Sequence, residues 1–191
     1  MEIPLLKRTL RPCIGNEVDA VEGIEYGVWR DGGRIGVEFD LYGLLSHLVI
    51  PAQDSGSTGK RVDDLWHHSC FELFVREVGE KTSRYFECNF SPSGQWNVYR
   101  FDSYRKKMEQ ADLKSEPVSS TEITKKIFTI RAEVDLTGLV PESSAVEIGV
   151  GCVVENKDGK LGYWALSHPG EKPDFHDPRS FIIRLIGTDS K

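Results

Sequence analysis

An apolar/polar alternation of period two runs through most of this chain and restricts what it can become. Phe128, Ile130, Ala132, Val134 and Leu136 alternate with Thr129, Arg131, Glu133 and Asp135, and Ile35, Val37, Phe39 and Leu41 alternate with Gly36, Glu38 and Asp40. Successive side chains of a strand point to opposite faces, so each run buries one set and solvates the other. A helix would scatter the same residues around its axis. Asp31-Gly32-Gly33, joining the run 23–30 to the run 33–43, is a hairpin signal. Further runs follow at 45–51, 70–75, 84–90, 95–101, 145–156, 160–166 and 180–186, punctuated by residues 78–83, Ser91-Pro92-Ser93-Gly94 and Asn156-Lys157-Asp158-Gly159. Residues 52–64 are small, polar and Gly-rich and read as a surface loop; the charged segment 103–125 reads as a short helix or a long surface loop. Nine or ten short strands without an amphipathic helix predict an all-β fold, an antiparallel β-sandwich of jelly-roll or immunoglobulin-like form. No linker divides residues 1–191, so a single domain is expected.

Charge narrows the partners. The formal net charge of −6 and pI near 5.4 offer no electrostatic footprint for nucleic acid or an anionic membrane, so neither is expected. The first residues lack the apolar core of a secretory signal and no run is long enough to span a bilayer, which predicts a cytoplasmic protein. Cys13, Cys70, Cys88 and Cys152 show no CxxC spacing and adjoin apolar runs, as free buried thiols do. The alternative, a Cys70–Cys88 disulfide across a hairpin, is disfavoured in a reducing compartment. Oligomeric state is not legible.

Two segments carry chemistry. In 70–75, Glu72 shares a face with Cys70 and Phe74, where a lone charge needs a partner. In 84–90, Tyr85, Glu87 and Asn89 share one face while Phe86, Cys88 and Phe90 take the other. Residues 95–101 add Trp96, Val98 and Arg100 on one side and Asn97, Tyr99 and Phe101 on the other. Carboxylate, amide, guanidinium and indole on one sheet face suit a sugar, whose hydroxyls need donors and acceptors and whose ring presents apolar C–H faces to an aromatic plane. The alternative is an ordinary cross-strand ion-pair network of Glu72, Glu87 and Arg100 on a solvated face.

The second segment, 162–178, gathers Trp164, His168, Lys172, Asp174, Phe175 and His176, with Pro169 and Pro173 stiffening the backbone. It reads as a loop that presents side chains. His67 and His68 beside Trp66 raise the possibility of a metal centre, yet the His168–His176 spacing matches no standard zinc pattern, and histidines bonded to loop backbone are the expected state. No metal ligand is assigned. Glu72, Glu87 and Asp174 are the carboxyls a hydrolase would draw on, but there is no G-x-S-x-G, H-E-x-x-H or Gly-rich phosphate loop, so no catalytic residue is assigned and the chain is not expected to be an enzyme. Haem through Met108 or a histidine is disfavoured because Met108 sits in a charged segment.

The runs LWHHSCFELFV, YFECNFSPSGQW with YRF, and YWALSHP with KPDFH resemble the DOMON-like proteins related to family 9 carbohydrate-binding modules, over residues 25–186. The resemblance implies a β-sandwich that clamps a sugar between two tryptophans, without transforming it. It makes Trp66 and Glu72 look like one aromatic wall and one acceptor, Trp164 the opposing wall, and Glu87, Asn89 and Arg100 further polar ligands. With His168 and His176 from the late loop, these residues form the predicted binding set for a monosaccharide, an oligosaccharide or a similar polyhydroxylated small molecule. No cofactor beyond a structural calcium ion is implied. The rival readings are a metal-dependent enzyme or metal protein built on the loop 164–176, a haem-binding redox domain of DOMON type, and a protein-interaction domain.

Overall fold

Most of the hydrophobic runs find their partners in a pair of antiparallel sheets. The computed structural model describes residues 5–52, 59–79 and 83–187. The first sheet has the order β1 (Arg8–Thr9), β3 (Val21–Asp31), β4 (Arg34–Gly43), β10 (Ile127–Asp135) and β9 (Val118–Ile123). The second runs β2 (Arg11–Pro12), β12 (Leu161–Ala165), β11 (Val146–Glu155), β5 (Cys70–Glu77), β6 (Tyr85–Phe90), β7 (Trp96–Phe101) and β8 (Glu109–Gln110), with β13 (Ile183–Leu185) also paired to β11. Helix is confined, among the described residues, to single 3-10 turns at Leu45–His47, Leu65–His67 and Pro178–Ser180. The fold is the all-β sandwich that the alternation predicts.

The clean alternation of β10 and β4 sends Phe128, Ile130 and Val134 with Ile35, Val37 and Phe39 to the inside of the first sheet. Phe71, Leu73, Val75, Cys88, Phe90 and Val98 face them from the second. Phe71 joins the layers, its ring centroid 5.1 Å from Phe39 and 5.6 Å from Phe128. Complete burial of a side chain of this size stabilises by about 1.5–3 kcal/mol.

Several expectations change. Residues 45–51 form no strand of their own; apart from the 3-10 turn they contribute only an isolated bridge from Leu48 to Asn156. Segment 103–125 holds no helix but a tight turn, β8 and the edge strand β9. The Gly-rich loop 52–64 lies partly outside the described residues. All four cysteines are free and buried, and Cys70 and Cys88 occupy opposite faces of their sheet, since Cys88 is paired with Leu73. Among the described residues no helix is long and apolar enough to cross a membrane.

One feature of the second sheet positions the site. β5 and β6 are buried at every position from Cys70 to Val75 and from Tyr85 to Phe90, not at alternate ones. Both faces of these strands are therefore covered, one by the first sheet and the other by a second layer of side chains.

Candidate functional site

That second layer is aromatic and lies outside the sandwich. Phe74, Tyr85, Tyr99 and Phe101 stand on the outer face of the sheet, and Phe175 and Phe181 descend on them from the late loop. Glu72 is flanked by Gly151 on β11 and Asn89 on β6; two residues along β5, Phe74 is flanked by Gly149 and Glu87, and Glu87 in turn by Tyr99 on β7. The two glutamates are diagonal neighbours on one face, about 7–8 Å apart in backbone terms.

The glycines let the loop come down. A Cβ at Gly149 would lie 2.6 Å from the Phe181 ring, and one at Gly151 would lie 2.9 Å from that of Phe175. Glycine inside a strand often marks such a close approach. Asp177 caps the 3-10 turn by accepting from the Arg179 amide at 2.9 Å, and the Ser180 hydroxyl donates to the Phe175 and Asp177 carbonyls, which fixes the descent.

At the other end, Trp66 rides on a turn held by Asp63, whose Oδ1 accepts from Tyr99, Asn97 and Gln110 at 2.6–2.9 Å. The Trp66 ring meets Tyr99 edge to face at 5.7 Å. Asp64, just before this turn, and Arg105, in the turn after β7, both adopt left-handed backbone, with φ of 62° and 53°. Strained non-glycine residues of this kind concentrate at functional sites. Between these walls lies a cavity of about 360 Å³, within the range of small-molecule sites. Glu72 and Glu87 line it with Trp66 and His67, with Phe101, Arg105 and Met108, with Val153, Leu161 and Tyr163, and with Pro173, Phe175 and His176.

Its electrostatics are unusual for a sheet surface. Glu72 and Glu87 are each only 3% exposed. Burial, reinforced by the neighbouring Glu87 charge, pushes the Glu72 carboxyl well above the usual range, with Arg105 only partly offsetting this. No side-chain hydrogen bond reaches Glu72 among the described residues; its carboxyl opens on the cavity. Glu87 is raised to about 7 by burial, against the stabilising Asn89 amide that donates to its Oε1 at 2.9 Å.

Arg105 is already committed. It donates to Asp174 Oδ1 at 2.9 Å. Burial favours the neutral acid at Asp174, but hydrogen bonds from Tyr104 and Arg105 outweigh it and hold the carboxyl below its ordinary value. His176 is lowered to about 4, first by burial and then by Arg105. The Tyr85 hydroxyl accepts from the Arg105 amide at 3.2 Å, leaving its own proton for His176 Nδ1 at 2.8 Å. This assigns the neutral imidazole its proton on Nε2, 3.6 Å from Glu87 Oε2.

Of the predicted set, Trp66, Glu72, Glu87 and His176 line the cavity, and Asn89 stands behind Glu87. Trp164 does not join them. It pairs with Cys152 and, at 6% exposure, packs into the core between the sheets, so the expectation of two facing indoles is corrected. Residues flanking it, Tyr163 and Ala165, occupy the outer face instead. Arg100 lies on the opposite side of β7 from Tyr99 and Phe101 and pairs with Glu109 at 2.6 Å; it too is outside the cavity. The alternative of a solvated network of Glu72, Glu87 and Arg100 fails for the same reason. His168 bonds the Arg11 carbonyl at 2.9 Å, away from the cavity, as a backbone-bonded loop histidine.

Sequence reasoning missed Arg105 and Tyr163, which carried no local signal, and discounted Met108, which lines the cavity despite its charged neighbours. The alternating Gly149 and Gly151 within a strand were the signal that a ring would be seated there. Among the described residues no three His, Cys, Asp or Glu side chains converge as metal ligands. Nothing therefore assigns a calcium or zinc set to this site.

Comparisons with known proteins extend the fold assignment. No family model matches the chain, and no curated protein does. Among solved structures, a Bacteroides uniformis protein described as a "putative carbohydrate-binding protein" superposes with a TM-score of 0.64 at 12% identity, over 92% of this chain and 84% of that one. A family 9 carbohydrate-binding module from Caldicellulosiruptor kristjanssonii, solved in complex with glucose, superposes with a TM-score of 0.50 at 11% identity, over 95% of both chains. The chain thus has a fold related to that of family 9 modules. Neither neighbour is described as a DOMON domain.

Proposed function

We propose that this protein binds a carbohydrate in the cavity on the outer face of its second sheet, without transforming it. The observation that carries the reading is Glu72, a buried carboxyl with no side-chain hydrogen bond among the described residues, open to an aromatic-walled cavity. A carboxyl held neutral both donates and accepts, as a sugar hydroxyl does, and Glu87 with Asn89 offers a second polar point. Trp66 and Phe101 supply faces for the apolar side of a pyranose. The likeness to two carbohydrate-binding structures supports this class of ligand.

Lack of catalysis is part of the proposal. His176 is locked by Tyr85, and Arg105 by Asp174, so neither is free to shuttle protons. Screening monosaccharides and glycans by calorimetry against the wild type, Trp66→Ala and Glu72→Gln tests the reading. Binding weakened in both variants supports it; no response to any sugar at millimolar concentration sinks it.

A further inference from the structure

The cavity is lined by two carboxyls and one arginine, and that imbalance of acidic over cationic groups specifies a ligand. Its floor carries two buried carboxyls. The cation nearest them, Arg105, is paired with Asp174, and His176, its Nδ1 bonded to Tyr85, is kept neutral by burial and then by Arg105. His67, from the turn before β5, and Tyr163 also line the cavity, and Cys70 and Cys152 are further titratable neighbours of Glu72. No described residue gives the Glu72 carboxyl a side-chain hydrogen bond or an ion pair.

The walls have the matching chemistry. Trp66, Phe101, Tyr163 and Phe175 bound the same cavity. Aromatic faces attract an ammonium group through their quadrupoles, most strongly where water is excluded. A carboxyl beside such walls gives an ammonium both a charge-assisted hydrogen bond and a π-lined socket.

We propose that the Glu72 end of the cavity is a subsite for a primary ammonium group, so that the chain binds an amino sugar in preference to its neutral parent. This rests on the carbohydrate reading above. A hydroxyl leaves the Glu72 carboxyl protonated, whereas an ammonium takes its carboxylate. The step balances as neutral Glu72 plus R–NH₃⁺ giving the Glu72 carboxylate bonded to R–NH₃⁺ and one proton released to solvent. Preference and proton release are thus two readouts of one event.

The test is calorimetry of the full chain with D-glucose, D-glucosamine and N-acetyl-D-glucosamine, and with D-galactose and D-galactosamine, slightly below neutral pH. Each titration is run in two buffers of different ionisation enthalpy. The amino sugar is expected to bind about tenfold or more tightly than its parent, with close to one proton released, while the N-acetyl form shows neither effect. In Glu72→Gln the amino-sugar advantage and the proton release both disappear, on top of a weakening that the amino sugar and its neutral parent share. Equal affinity, no proton release, or an advantage retained in Glu72→Gln overturns the ammonium subsite and leaves the carbohydrate reading standing. If none of the five sugars binds, both fall.

Discussion

Two tryptophans that look alike in the sequence do opposite work in the fold. Trp66 is half-buried against Tyr99 at the cavity mouth, whereas Trp164 lies in the inter-sheet core opposite Cys152. Truncating them should separate stability from binding. Trp164→Ala is expected to cost about 3–5 kcal/mol through cavity formation, while Trp66→Ala leaves denaturant melts within about 1 kcal/mol, beyond its single edge-to-face contact, and removes most sugar affinity. Urea unfolding with parallel calorimetry checks this; equal destabilisation by both would remove the distinction. Trp164→Phe should cost less than Trp164→Ala, because it leaves a smaller cavity and the buried Trp164 Nε1 has no hydrogen-bond partner among the described residues to lose. The glutamates were legible because an acid at an apolar strand position stands out. The side on which Trp164 lies was not, because Tyr163-Trp164-Ala165 is apolar on both sides and only its pairing with β11 decides which faces the core.

Among the elements, β11 and the late loop depend on each other through absent side chains. Gly149 and Gly151 seat Phe181 and Phe175, and through them the wall of the cavity. Gly151→Ala would force the Phe175 ring aside, at an overpacking cost of about 1–3 kcal/mol. It is expected to speed proteolysis of residues 167–177 and weaken sugar binding while the sheets remain paired. Limited proteolysis and circular dichroism read the two effects; an unchanged cleavage rate would mean that the loop is not held by this contact. A complementary change at the opposite wall, Asp63→Ala, removes the acceptor shared by Tyr99, Asn97 and Gln110. It should red-shift Trp66 emission as the turn loosens, with the Trp66→Ala background showing no such change. The strand pattern foretold most of these elements, since period two is a local property. Which loop would cover the outer face was not local, and the continuous burial of β5 and β6 became intelligible only when that covering layer was in place.

At the level of the whole molecule, burying two carboxyls and a neutral imidazole ties folding to pH in opposing directions. Glu87 is raised from 4.5 to about 7, so between those values the folded chain keeps a proton that the unfolded chain has released, and stability falls as pH rises. Glu72 is displaced in the same direction. His176 is lowered from 6.5 to about 4, so between those values the unfolded chain binds the extra proton and stability rises with pH. The two contributions oppose each other up to about pH 6.5, and above it the imidazole's share fades within about one pH unit, leaving the carboxyls dominant. From pH 6.5 to 8 the wild type should therefore lose stability on the order of 1–3 kcal/mol, roughly several degrees in Tm for a chain of this size. Glu72→Gln and Glu87→Gln should each flatten that decline, since an amide has no proton to release, and each should melt higher than the wild type at pH 8 while the difference narrows toward pH 5. Thermal melts across this range decide the matter: a wild-type Tm that stays level from pH 6.5 to 8, or Gln variants that track it in parallel, would mean that neither carboxyl is held neutral by the fold. A saturating amino sugar should produce the same flattening without any substitution, because the ligand's ammonium supplies the counter-charge that Glu72 otherwise lacks.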